Sequence, residues 1–111
     1  MKEIKGDECY TSLDIDDTKY TLFYFTASWC GPCQKILPEI IKLEKLISDY
    51  VNFYKIDVDE DENNELCEKC KILTVPSFLL FKQRTCVDRT SGANIENIKD
   101  MIKNNIKNKD S

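Results

Sequence analysis

Histidine is absent from the 111-residue sequence, and glycine, proline and tryptophan occur only three, three and one times. Without histidine the chain has no Cys–His catalytic pair, and it lacks the usual imidazole ligand of zinc. Three scattered glycines form no Gly-rich phosphate loop. These absences exclude several catalytic classes and leave the six cysteines as the chemically prominent residues.

Long apolar runs are also absent, so we expect no segment that spans a membrane and no membrane partner. The first 17 residues contain no apolar core of a secretory signal, which predicts a cytoplasmic location. A targeting segment removed ahead of this start would leave the same sequence. In a reducing compartment, CxxC spacing indicates redox or metal chemistry before it indicates a structural disulfide.

Charge of either sign is moderate, with 16 basic and 20 acidic residues and a net charge of −4. A sequence-independent nucleic-acid binder needs a basic surface that releases counterions, so we expect no nucleic-acid partner. The length of 111 residues predicts one domain covering 1–111.

Apolar periodicity predicts an α/β fold with a parallel part followed by an antiparallel hairpin. The predicted strands are Tyr20–Thr26, Val51–Val58, Ser77–Lys82 and, at an edge, Cys86–Thr90. The predicted helices are Cys33–Tyr50 with Pro38 inside it, Glu62–Lys71, a weakly supported one around Tyr10–Thr18, and a last one capped by Asn94.

The stretch YFTASWCGPCQ, at 24–34, contains two cysteines separated by two residues. The strand predicted just before it leads into the helix predicted just after it, so both thiols lie at a helix N-terminus. Free N–H groups and the positive dipole end favour a thiolate there, and we expect Cys30 to ionise more readily than a free thiol. Cys30 is therefore the candidate nucleophile, and Cys33, one turn inside the helix, is the candidate resolving thiol. Pro32 suits the first helical turn, where its missing N–H is no loss.

A second pair with the same spacing, Cys67 and Cys70, lies on a predicted helix. It is either a second redox pair that regulates the first or two small packing residues, and its place within a helix favours packing. A zinc ribbon requires its second CxxC about 15–20 residues after the first, which Cys67 does not satisfy. We therefore expect no metal site, and we assign no partner to Cys9 or Cys86.

FTASWCGPCQKILPEI, at 25–40, closely resembles the active-site segment of the thioredoxin family. The resemblance continues in YKIDVDE, where Lys55 aligns with a buried lysine of the family, and in Val75-Pro76-Ser77-Phe78, the cis-proline segment. It includes Gly92 before the last helix, covers roughly residues 20 to 106, and is weak over residues 1–19.

This resemblance implies the thioredoxin fold, a central mixed β-sheet flanked by helices. It also implies reduction of protein disulfides without a cofactor: Cys30 attacks, a mixed disulfide forms, and Cys33 releases it. A thioredoxin-reductase-type enzyme or a small thiol would return the electrons. The resemblance makes Gly31 and Pro32 supporting residues, and it implies that an extended substrate segment lies in a groove lined by Trp29, Val75, Pro76 and Gly92.

One position departs from the family. Typical thioredoxins carry a buried aspartate six residues before the first cysteine, which is thought to help deprotonate the resolving thiol, and here that position is Tyr24. A phenol is a poor base at neutral pH, so we expect slower release of the mixed disulfide. In this respect the segment is similar to nucleoredoxin- and tryparedoxin-like relatives. Lys55 lacks that carboxylate as a neighbour and should extend to solvent instead.

Two other classes of protein share some of these features. One is a thioredoxin-fold binding module whose cysteine pair is redox-idle, and the other is a four-cysteine metal protein. The acidic run Asp57–Glu62 resembles part of a calcium loop, but Glu62 stands where that loop needs glycine. We interpret the run as a solvated strand exit.

Overall fold

A five-stranded sheet with helices on both faces forms the computed structural model, which describes residues 1–108. Its strands are β1 (Lys2–Glu3), β2 (Tyr20–Thr26), β3 (Val51–Asp57), β4 (Ser77–Lys82) and β5 (Thr85–Ser91). Its helices are α1 (Asp7–Ser12), α2 (Gly31–Ile47), α3 (Asn64–Lys69) and α4 (Ile95–Asn108), and a 3₁₀ turn, Asp61–Asn63, precedes α3.

The strands lie in the order β1-β3-β2-β4-β5. β1, β3 and β2 run parallel, whereas β4 is antiparallel to β2 and β5 is antiparallel to β4. This confirms the predicted mixed sheet and its closing hairpin. It also places Tyr24 of β2 opposite Lys55 on one side and Phe78 on the other.

The alternation of side chains along β2 divides the core into two layers. Leu22 and Tyr24 belong to the layer that α2 and α4 cover, here called the α2/α4 face. Phe23 and Phe25 belong to the layer on the opposite side of the sheet, here called the α1/α3 face. All seven side chains of β2 are buried, as expected for a central strand covered on both faces.

The N-terminal helix predicted around Tyr10–Thr18 is wrong in position, because α1 occupies Asp7–Ser12. Asp7 and Glu8 stabilise the first turn through the helix dipole, and Cys9 is the side chain that reaches the core. β1 has only two residues, both exposed, and so carries no periodicity that could have predicted it.

The boundaries of α2 and α3 also differ from prediction. Cys30 has extended backbone angles and its sulfur accepts the Cys33 N–H, so α2 begins at Gly31 rather than Cys33. α2 continues through Pro38 and ends at Ile47. The helix predicted over Glu62–Lys71 is divided into the 3₁₀ turn and the shorter α3.

The side chain of Asn63 ties the N-terminal segment to the rest of the sheet. Asn63 is fully buried, its Oδ1 accepts the Gly6 N–H at 2.9 Å, and its Nδ2 donates to the Asp57 carbonyl at 2.8 Å. The thiol of Cys9 donates to the same Oδ1 over 3.8 Å. One side chain therefore satisfies backbone groups from two segments far apart in sequence.

Asn63→Ala should lower the free energy of unfolding by about 2–3 kcal/mol, because it leaves the Gly6 N–H and the Asp57 carbonyl without partners. Urea denaturation measures the change. Asn64→Ala is the matched control, since Asn64 is exposed and a surface substitution shifts stability by only about 0.5 kcal/mol. Equal effects of the two substitutions would contradict this account.

Candidate functional site

The two cysteines of the CGPC segment meet where β2 passes into α2. Cys30 and Cys33 form a disulfide with a Cα–Cα distance of 5.3 Å. Cys30 keeps 4% of its surface exposed and Cys33 none, so only Cys30 faces the protein surface. The Cys33 N–H points at the Cys30 sulfur from 3.2 Å, and this free donor of the first helical turn is oriented to stabilise a negative charge on that sulfur.

The Val75–Pro76 segment lies against this pair. Its peptide bond is cis, and the Val75 carbonyl oxygen is 3.7 Å from the Cys30 sulfur. The Gly92 N–H donates to the Pro76 carbonyl at 2.9 Å. Gly92 has φ +94°, a conformation that favours glycine. Val75 thus lies beside Cys30, and Gly92 is hydrogen-bonded to the neighbouring Pro76.

Trp29, the fourth residue predicted to line the substrate groove, is exposed to solvent. Its ring is 69% exposed, and its indole N–H donates to Asp59 Oδ2 at 2.7 Å. Between Trp29 and Val75 lies an open groove of about 250 Å³ that is also lined by Leu73, whose side chain is 91% exposed. Exposed apolar side chains that lie together are typical of protein-binding surfaces.

Asp59 was not among the predicted site residues. It follows β3, the parallel neighbour of β2, so its carboxylate emerges at the sheet edge that also bears Trp29. Side chains that follow adjacent parallel strands meet at one edge of the sheet, and this rule could have predicted Asp59 as a neighbour of Trp29.

Tyr24 lies directly beneath the pair. Its hydroxyl donates to the Cys33 carbonyl at 2.6 Å, and its ring stacks on Phe78 with centroids 5.1 Å apart. Burial raises the pKa of the Tyr24 phenol, and the neighbouring Thr26 hydroxyl offsets that rise only in part. The phenol therefore keeps its proton at neutral pH, and that proton is already engaged with the backbone.

Lys55 points away from the cysteines. Its side chain is 32% exposed and its ammonium pairs with Glu3 Oε1 at 3.4 Å, across the β1–β3 edge. The expectation that Lys55 extends towards solvent is confirmed. The site therefore has no buried carboxylate–lysine pair under Cys33 within residues 1–108.

The other four cysteines are free thiols. Cys67 and Cys70, at the end of α3, pack against the core of the α1/α3 face, which supports the packing interpretation. Burial raises the pKa of the Cys9 thiol to about 11, and it also raises the pKa values of Cys67, Cys70 and Cys86. In the described part of the chain, no three Cys, Asp or Glu side chains are arranged to hold a metal ion.

Comparisons with known proteins agree with this geometry. The thioredoxin family model matches residues 4–106. A thioredoxin of Geodia cydonium is 42% identical over 88 residues, 78% of this chain and 80% of that protein. Thioredoxin-2 of Saccharomyces cerevisiae is 35% identical over 106 residues, 96% and 99% of the two chains. The X-ray structure of Fasciola hepatica thioredoxin superposes with a TM-score of 0.83, at 32% identity, covering 90% of this chain and 94% of that one.

Cys9 should be the least reactive free thiol of the native protein. With a pKa of about 11 and no exposed surface, it stays protonated at neutral pH, and its thiolate fraction rises only about tenfold per pH unit. Iodoacetamide labelling followed by peptide mass spectrometry should modify Cys9 at least about 100-fold more slowly than the exposed Cys86. The two should react alike in guanidinium chloride, and equal native rates would contradict the assignment.

Proposed function

Because this chain belongs to the thioredoxin family and is a thiol–disulfide oxidoreductase that reduces protein disulfides, we propose that Cys30 makes the attack and Cys33 completes the reaction. The observation that carries the assignment is the difference in position: Cys30 keeps a surface-facing edge at the helix N-cap, while Cys33 is enclosed.

The reaction balances in two thiol–disulfide exchanges. The Cys30 thiolate attacks one sulfur of a substrate disulfide, the substrate disulfide breaks, and one substrate thiolate leaves. Cys33, as thiolate, then attacks the Cys30 sulfur, the mixed disulfide breaks, and the second substrate thiolate leaves. Two electrons have passed to the substrate, and Cys30 and Cys33 end as the disulfide.

The groove beside Cys30 supports the first exchange. We assign to it an extended substrate segment, which would lie along Val75–Pro76 and against the exposed Trp29 ring. The Trp29–Asp59 hydrogen bond holds the ring in place. Gly92, which is hydrogen-bonded to Pro76, adds no side chain next to that segment and leaves open space there.

The second exchange needs the Cys33 proton to leave, and Tyr24 is not its acceptor. The raised pKa keeps Tyr24 neutral, and its hydroxyl donates to the Cys33 carbonyl. Tyr24 is in our proposal a positioning residue that fixes the Cys33 backbone. The Cys33 proton passes to water in the mixed-disulfide state, after Cys30 has attacked the substrate disulfide. General-base assistance is typically worth 10²–10⁴-fold, so its absence slows this step.

The substrates of this activity are protein disulfides, and the partner that returns the electrons is part of our proposal. The oxidised pair needs two electrons from a thioredoxin-reductase-type enzyme or a small thiol.

None of the helices within residues 1–108 is both long and apolar enough to cross a bilayer. We place the protein in a reducing compartment, the cytoplasm, where such donors operate.

Reduction of insulin with dithiothreitol as electron donor tests the assignment of the two cysteines. Wild-type protein should precipitate insulin far faster than dithiothreitol alone, and Cys30→Ser should abolish that acceleration, because the attacking sulfur is gone. Cys33→Ser should instead trap a mixed disulfide, which non-reducing mass spectrometry detects. Full activity of Cys30→Ser, or an inactive wild type, would favour the redox-idle binding module.

Tyr24→Asp should accelerate release of the mixed disulfide at pH 7 by about tenfold or more, because a carboxylate can accept the Cys33 proton. A quenched disulfide peptide, followed by stopped-flow fluorescence, isolates this step. The wild-type release rate should rise about tenfold per pH unit around neutrality, since only the thiolate reacts, whereas the Tyr24→Asp profile should level off. Circular dichroism verifies that the variant is folded.

Tyr24→Phe is the matched control, because it removes only the hydroxyl. It should lower the free energy of unfolding by about 1 kcal/mol through loss of the bond to the Cys33 carbonyl. The slope of its pH–rate profile should equal that of wild type. A flattened Tyr24→Phe profile would mean that the phenol does transfer the proton, and an unchanged Tyr24→Asp rate would mean that proton removal is not limiting.

A further inference from the structure

An apolar groove of about 460 Å³ lies between the C-terminal end of α2 and the face of α4. We call it the α2/α4 groove. Its floor is formed by four aliphatic side chains from the two helices, Leu43, Ile47, Ile102 and Ile106. Tyr50 stands at one end with 59% of its surface exposed. The floor is continuous with the buried core but is not covered by any described segment of this chain.

The rim of the α2/α4 groove is basic. Lys99, Lys103 and Lys107 follow one another along α4 at intervals of four residues, so they form a row on one side of the floor. Successive members of such a row are about 6 Å apart along the helix axis. Every charged side chain that lines the groove, within residues 1–108, is a lysine.

Within residues 1–108, two of these three lysines are not paired with a carboxylate. Lys99 is 3.7 Å from Glu96, but neither Lys103 nor Lys107 is ion-paired with any of the described residues. A basic row is notable on a protein whose net charge is −4. It gives the lining of the groove the opposite sign to the molecule as a whole, which favours an acidic partner there.

The α2/α4 groove is remote from the redox pair. Leu43 is twelve residues along α2 from Gly31, which corresponds to about 18 Å along the helix axis. An occupant of the groove therefore leaves Trp29, Cys30 and Val75 free. The groove is a second surface rather than an extension of the substrate groove.

We propose that the α2/α4 groove docks an acidic amphipathic helix of a partner protein. Aliphatic side chains of that helix would fill the floor, and glutamates or aspartates spaced every four residues would meet the lysine row, as in other helix-in-groove complexes. A second copy of this chain is disfavoured, because in a symmetric contact the groove faces itself and its lining, among the described residues, offers no carboxylate to the lysines. A bilayer is an outcome that the test must separate, because lysines beside apolar side chains also suit an anionic lipid surface.

The test uses Cys30→Ser/Cys33→Ser protein, so that disulfide chemistry cannot contribute. The probe is a fluorescent helical peptide of about 18 residues, long enough to hold a helix, with leucines along one stripe and glutamates every four residues beside it. The expected result is saturable binding in the micromolar range by fluorescence anisotropy. The same peptide with glutamine for glutamate should bind at least about tenfold more weakly, because it lacks the ion pairs.

Two pairs of lysine substitutions test whether the peptide binds in the α2/α4 groove. Lys103→Glu/Lys107→Glu should weaken peptide binding at least about tenfold, while insulin reduction by the corresponding protein with an intact Cys30–Cys33 pair should be unchanged. Lys69→Glu/Lys71→Glu is the matched control, since it changes the charge equally on the opposite side of the sheet and should bind like the parent. Amide chemical shifts should move at the end of α2 and along α4, and not around Trp29.

Several outcomes would overturn the proposal. One is an absence of binding at about 1 mM peptide, the weakest affinity relevant here. Others are equal binding of the glutamine peptide, or shifts confined to the Trp29 groove. Self-association through the same residues would assign the groove to a second copy. Binding only to vesicles of equimolar phosphatidylserine and phosphatidylcholine would assign it to a lipid surface.

Discussion

Strand β2 is buried along its whole length, because β3 and β4 satisfy its backbone and helices cover both of its faces. The architecture depends on this constraint. Alternate side chains of β2 anchor the two core layers, and its last residues deliver the chain to the N-terminus of α2. Because Tyr24 and Cys33 are both buried, the hydrogen bond between them forms in a medium of low polarity, where such bonds are strong. The position of the redox pair follows from this central strand.

The sequence alone predicted those elements in which the local residue pattern agrees with the overall fold. The β2 strand, the helix after Cys30 and the closing hairpin were predictable because burial, turn chemistry and helix-start signals coincide there. The Val75–Pro76 segment and Gly92 were placed only through the family resemblance. The contacts that escaped prediction join distant parts of the chain. Asn63 bonds to Gly6, and Trp29 bonds to Asp59, and no periodicity encodes either pairing. β1, with two exposed residues, gives no signal until β3 is there to pair with it.

With Tyr24 in place of the family's aspartate, the site lacks a buried proton acceptor and has a neutral, well-packed side chain instead. An aspartate at this position would be a buried charge that accepts a proton, and it would destabilise the core unless it were compensated. The phenol instead fills the space under α2, stacks on Phe78 and satisfies the Cys33 carbonyl. Lys55, with no buried charge to neutralise, turns to Glu3 at the sheet edge. The residue change at Tyr24 and the outward course of the Lys55 side chain together leave a neutral floor beneath the cysteines.

The length of α2 sets the distance between the disulfide and the α2/α4 groove. Its 17 residues span about 25 Å, with the disulfide at one end and the α2/α4 groove at the other. A protein docked in the groove can present its own disulfide to Cys30 only if at least about eight extended residues separate the two sites on its chain. Where that spacing is met, the second contact becomes intramolecular, and its effective concentration reaches the millimolar range. With a partner docked as proposed, α2 would select substrates by the distance between their disulfide and their docking helix.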